Sequence, residues 1–376
     1  MNRLSVLVIS LCLILVLLLT TLIASAQFAT RGARWPVRGP WLWALYSELP
    51  QLYREFNGID FGHAHLGETL IQTQDPQKVE RARLDVLDFI FSSPAVPPDE
   101  ELIAPTLVRN NWEVARAFNW AHILHRSLYD LYAADKVSDK EAAVRYIFMK
   151  YLEKPEAITS HPLDLHGKLW SFPESKSFSK KFPKFNTQIW AYHWLQGATY
   201  DIQLMGNSAT QRELMPRLIA FYHGYLRNPP LEWQFMPMVG ESSPEFASRY
   251  PDVVAVFDNL HMLHDNLDDI LSRPDLYPTT AAQRAAMLKI LPIYFHRNHQ
   301  PQDRYVEYHG TAMAEHAGHD MKSMTSEGSS RKTQQSMTMD IGPRPPSARD
   351  VISGKIQSPS ERPSPESSPA ASPHRY

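Results

Sequence analysis

From Trp41 to about His296, apolar residues recur three and four positions apart, and strand-like alternation is nearly absent. Val114, Phe118, Ala121, His125, Leu128 and Tyr132 follow a 4-3-4-3-4 spacing, and Val253, Phe257, Leu260, His264, Leu267 and Leu271 repeat it. Such seams mark the core-facing side of a helix. Proline-rich stretches, such as Ser93-Pro94-Ala95-Val96-Pro97-Pro98, interrupt the pattern and read as loops. Asp75-Pro76 is a helix start, with an N-cap before proline, and Ser138-Asp139-Lys140-Glu141 reads as a capping box. The fold class expected is all-α.

The pattern also repeats. Residues 114–152 align with 253–291 without a gap, and twelve of the 39 pairs are identical. The matches run through Val114, Phe118, His122, His125, Leu128 and Asp130, and continue through Ala142, Arg145 and Leu152, where no histidine is involved. Each copy reads as a long helix A, a turn and a helix B. Two weaker copies are found by aligning His193 and His65 with His122. The expectation is a helical bundle of four helix–turn–helix repeats, with helix A near 61–73, 109–134, 184–206 and 251–273.

The two ends differ from this middle. Residues 4–23 carry no charge, Arg3 precedes them, and Ala24-Ser25-Ala26 offers a cleavage site before Gln27. Residues 1–26 therefore read as a signal peptide or as a membrane anchor, since about 20 apolar residues also span a bilayer. Both readings imply export, although Arg31, Arg34 and Arg38 after the segment favour a cytoplasmic flank. Residues 27–40 read as a linker and 41–299 as the helical domain. Residues 300–376, rich first in Met and His and then in Pro and Ser, are expected to be a disordered tail.

Composition narrows the chemistry. The single cysteine, Cys12, lies in the N-terminal apolar run, which excludes a disulfide framework, a zinc-thiolate site and a cysteine nucleophile from the helical domain. A net charge of −2 gives no sign of a nucleic-acid partner. No phosphate loop or dinucleotide fingerprint is present. Any metal must be held by His, Met and carboxylates.

Histidine supplies the candidates. His122 and His125, and likewise His261 and His264, lie three residues apart on one helix face, so each pair forms a two-imidazole claw. Four such helices would bring together His65 with Glu68, His122 with His125, His193 with Gln196, and His261 with His264. Asp258 lies one turn before His261. Imidazole suits copper, iron and zinc, and a carboxylate admits iron. The candidate ligands are thus His65, Glu68, His122, His125, His193, Asp258, His261 and His264, with room for a dinuclear copper or iron centre. His63 is a further candidate, whereas His161, His166 and His223 read as structural. A b-type haem clamped by His122 and His261 is an alternative, and purely structural core histidines in a helical scaffold are another.

Within His309–Met324, Met313, His316, His319, Met321 and Met324 combine thioether and imidazole, a pairing that favours copper. The stretch resembles the flexible Met/His segments of exported copper-handling proteins. That resemblance implies a copper-capture or delivery role and a metal-delivery partner. The sequence does not decide whether the protein is an enzyme.

Overall fold

The computed structural model describes residues 36–163, 174–231, 236–298 and 345–356. The N-terminal apolar run, His166 and the Met/His stretch lie outside these residues. Among the described residues the elements are helices, with one isolated bridge between Ile158 and Phe295, and no helix is long and apolar enough to cross a membrane.

The helices come in a recurring order. α1 (Ala44–Glu48) leads into α2 (Pro50–Gln72), and α3 (Pro76–Phe91) follows it. After α4 (Glu100–Ile103), α5 (Pro105–Asn110) leads into α6 (Trp112–Ala133), followed by α7 (Lys140–Leu152). Then α8 (Ser177–Lys181) leads into α9 (Pro183–Leu204), followed by α10 (Ser208–Arg227). After α11 (Val239–Ser242), α12 (Pro244–Arg249) leads into α13 (Pro251–Leu271), followed by α14 (Thr280–Tyr294). α15 (Ala348–Ile352) is the last described helix.

Each short lead-in helix is separated from its long helix by one residue with nearly the same backbone conformation. Leu49, Asn111, Phe182 and Tyr250 have φ between −130° and −135° and ψ between 51° and 59°. At three of the four breaks the next residue is proline, whose ring disfavours helical geometry in the residue before it and suits the first helical position itself. Caps close other starts: Asp75 accepts from the Gln77 amide and Asn207 from the Thr210 amide. At α7 the cap is Asp139, which accepts from the Ala142 amide, rather than the Ser138 of the expected capping box.

The long helices α2, α9, α6 and α13 touch one another in that cyclic order, and each packs on the helix that follows it in sequence. α9 is buried on all sides, with nineteen of its 22 residues inside. At the close approach of α2 and α3, a β-carbon on Gly58 would lie 2.8 Å from Ile90 Cγ1, so only glycine fits there.

Part of the expected disordered tail belongs to the folded body. Ala348, Val351 and Ile352 are buried, at the spacing of a single helix face. The Ser347 side chain caps the helix, the Trp194 indole N–H donates to Pro346 O at 2.9 Å, and Arg217 donates to Ile352 O at 3.0 Å. A short apolar face can dock on a preformed body even where its own segment is too polar to build a core.

Candidate metal centre

The four long helices carry equivalent chemistry at equivalent heights. Counting from the first residue of each, the eleventh position holds Asp60, His122, His193 and His261, and the fourteenth holds His63, His125, Gln196 and His264. One helix turn separates the two positions, so both face the centre of the ring. The first helix therefore contributes Asp60 and His63, not His65 and Glu68.

Among the described residues, two groups of side chains bring three possible ligand atoms within 4.8 Å of one another. One is His63, His193 and His264, all buried; the other is Asp60, Glu100 and His122. The rings are crowded. His63 lies 5.0 Å from His193, 4.7 Å from His264 and 5.4 Å from His122, and His261 stacks on His193 at 4.0 Å. His125 stacks on Phe257 at 3.7 Å.

Hydrogen bonds fix how three of these rings present themselves. His122 Nδ1–H donates to Glu100 Oε1 at 3.1 Å, and His261 Nδ1–H donates to Pro237 O at 3.3 Å. Tyr129 donates its hydroxyl to Gln196 O, and His125 Nδ1 lies within hydrogen-bond distance of both the Tyr129 and the Tyr200 hydroxyls, at 2.9 and 2.7 Å. For the neutral His261 ring, donation from Nδ1 leaves the lone pair on Nε2, the arrangement that orients a metal-binding imidazole. His125 Nε2 and His261 Nε2 are buried without a hydrogen-bond partner, as are both ring nitrogens of His63, Nδ1 of His193 and Nδ1 of His264. So many orphaned imidazole nitrogens in one place are uncommon in a packed core.

Burial also keeps most of these rings neutral. It pushes the pKa of His261 and of His264 down to about 3, with further lowering from neighbouring imidazoles. The same two causes hold His63, His125 and His193 well below the ordinary value. His122 differs: burial lowers its pKa, but Asp60 and Glu100 outweigh that and raise it. The group is thus a set of mostly neutral imidazoles that meets carboxylates in two places, at His122 beside Asp60 and Glu100 and at His264, whose Nδ1 lies 3.6 Å from Asp268 Oδ2. Asp60 in turn pairs with Arg126 at 2.5 Å.

The structure does not bring three of the sequence candidates into this group. His65 is half-buried and stacks on Phe61 at 5.3 Å, and Phe61 stacks on Phe89 of α3. Glu68 is committed to the backbone, since its Oε2 accepts from the amides of Thr106 and Leu107 at 2.9 and 3.0 Å. Asp258 Oδ1 accepts from the Val239 amide at 2.8 Å, and burial raises its pKa to about 7. Aligning the first copy on His65 placed it five residues out of register, because the first helix has aspartate where the other three have histidine. Glu100 was missed because α4 lies outside the repeat. His161 and His223 lie apart from the group, and His223 pairs with Glu55 at 3.0 Å.

Buried His, Asp and Glu clusters that can hold a metal are therefore present. No protein-family model matches the chain, and no curated protein or solved structure matches it.

Proposed function

We propose that the protein holds a copper ion on His63, His193 and His264 at the centre of four repeated helical hairpins. The observation that carries this reading is the convergence of three buried, neutral imidazoles with ring nitrogens that make no hydrogen bond. Three protein ligands leave a coordination position open, as reactive rather than structural sites do. The donor set favours copper over iron, because Glu68 and Asp258 are occupied with backbone amides and the inner group contains only imidazole. Among divalent ions, copper binds such nitrogen sites most tightly.

The repeat reading draws support from the lead-in helices and from the shared heights of the ligand positions. A dinuclear centre would use the adjacent Asp60, Glu100 and His122 group for its second ion, although Arg126 already holds Asp60 Oδ2 there. Haem is the weaker reading. A bis-histidine clamp needs a flat slot between two rings, whereas His261 stacks directly on His193. A purely structural role leaves the orphaned nitrogens without an account. Export through residues 1–26 and copper delivery through Met313, His316, His319, Met321 and Met324 complete the proposal, and both rest on sequence alone.

Elemental analysis of the full chain with a visible and paramagnetic-resonance spectrum tests the centre. One copper per chain with a nitrogen-ligated Cu(II) signal is expected. Two metals per chain would favour the dinuclear form, zinc would replace copper in the reading, and a Soret band would favour haem. Failure to bind any of these metals would overturn the proposal.

A further inference from the structure

A pocket of about 380 Å³ opens from the surface onto the His122 edge of the histidine group. That volume falls in the range of small-molecule sites. Its walls include Trp43 and Tyr53, the Val96-Pro97 loop and Ile123, and its inner end is formed by Asp60, Glu100 and His122. The inner end is also the edge of the centre, since the His122 ring lies 5.4 Å from that of His63.

Among the described lining residues acidic groups outnumber basic ones: Asp60, Glu100 and Asp130 contribute carboxyl groups beside Asp99, and Arg126 and His122 are the basic side chains. Arg126 is bound to Asp60 and to Asn57 Oδ1 and lies over the Tyr53 ring at 5.6 Å. Glu100 is held from two sides, by His122 Nδ1–H and by the Asn119 amide in its hydrogen-bonded orientation. Both carboxylates are therefore positioned rather than swinging free: Asp60 Oδ2 accepts twice from Arg126 and Glu100 Oε1 accepts from His122 and Asn119, which leaves Asp60 Oδ1 and a second lone pair on Glu100 Oε2 to accept from a ligand. A pocket of this kind disfavours anions and suits a cation with an apolar body, which aromatic side chains also attract.

We propose that this pocket binds a small organic amine, its ammonium at the carboxylates of Asp60 and Glu100 and its apolar body between Trp43, Tyr53 and the Val96-Pro97 loop. The bound nitrogen would then lie one imidazole away from the inner ligands. Amine binding itself goes beyond the copper reading and does not need the metal; only the adjacency to a metal rests on that reading.

The test is calorimetric titration of the full chain, stripped with a chelator and also copper-loaded, with 2-phenylethylamine. 3-Phenylpropionate, of similar size and opposite charge, is the control. Saturable binding of the amine to the stripped protein is expected, with no binding of the carboxylate. Glu100→Gln should weaken amine binding about tenfold or more, the cost of a lost charge-assisted contact. Val96→Trp changes an exposed loop position, 74% accessible, and should block the pocket without altering its charge. Equal binding of both probes, no amine binding up to millimolar concentration, or unaltered binding in both variants would overturn the proposal. Because the stripped protein is used, a failed metal assay leaves this result standing, and loss of amine binding leaves the metal assay standing.

Discussion

Glu68 and Asp130 each cap the short helix that leads into the other's long helix. Glu68, on α2, accepts from Thr106 and Leu107 at the start of α5, which runs into α6. Asp130, on α6, accepts from Trp43 at 3.2 Å and from Leu45 at 2.8 Å at α1, which runs into α2. Asp201 and Asp269 repeat the exchange in the other half. Asp201 accepts from Glu245 and Phe246 at α12, and Asp269 accepts from Lys176 and Phe178 at α8. All four acids lie eighteen residues after the first residue of their helices. The aspartates that follow the histidine claws are thus fastenings between hairpins, and they fix the depth at which the imidazoles sit.

Asp130→Ala should destabilise the fold by roughly 2–4 kcal/mol, since two backbone amides at a buried cap lose their acceptor. Urea unfolding followed by circular dichroism measures it. A change under about 0.5 kcal/mol, within the range of surface substitutions, would show that the cap carries no weight.

The same residue gives a pH signature. Burial raises the Asp130 carboxyl from 3.8 to about 6, against the lowering effect of its two amide donors and Arg126. A folded pKa above the unfolded one stabilises the folded state fully below pH 3.8, and that contribution is lost as pH rises through about 6. Relative to Asp130→Asn, the wild-type chain should therefore lose up to about 3 kcal/mol of stability between the two pKa values, at about 1.4 kcal/mol per unit. The comparison between the two proteins cancels the opposing titration of the buried histidines. Parallel stability–pH curves would show that Asp130 ionises normally in the fold.

Much of this arrangement was legible in the sequence, and the part that was not has physical causes. The seams through His125 and His264 were readable because those helices combine regular apolar spacing with a second, histidine-free block of matches. Histidine is a poor marker for the first hairpin, because Asp60 stands at the position that His122, His193 and His261 occupy. The better marker was the acid, Glu68, Asp130, Asp201 or Asp269, at a constant distance from Pro50, Trp112, Pro183 or Pro251. α9 gave a weak pattern because it is buried all round and has no polar face to set a period. Glu100 carried no signal, since it reaches His122 only through the packing of a four-residue helix.

Truncation after residue 344 should lower stability, whereas truncation after residue 356 should leave the described fold unchanged. The shorter chain loses the burial of Ala348, Val351 and Ile352 and uncovers Trp194, whose indole N–H loses its acceptor at Pro346. The cost should be about 2–4 kcal/mol, given the transfer energies of the aliphatic side chains less the entropy of ordering the segment. Thermal melts of the two truncations against the full chain measure it. Identical melting temperatures for all three would mean that α15 does not hold to the body.

His193→Ala and His65→Ala separate the two possible registers of the first hairpin and test the centre at the same time. His193 belongs to the buried three-imidazole group, and His65 packs on Phe61 away from it. Loss of one of three ligands should abolish stoichiometric copper binding while leaving helix content near wild type, because the remaining rings cannot complete the site. His65→Ala should retain the metal and cost only a modest amount of packing, its side chain being half-buried. Elemental analysis with circular dichroism on both variants reads the outcome. Full copper content in His193→Ala would remove His193 from the ligand set, and loss of copper in His65→Ala would restore the register in which His65 and Glu68 face the centre. A His193→Ala protein that unfolds can be replaced by His193→Gln, which keeps most of the volume and a polar end while offering only an amide to the metal.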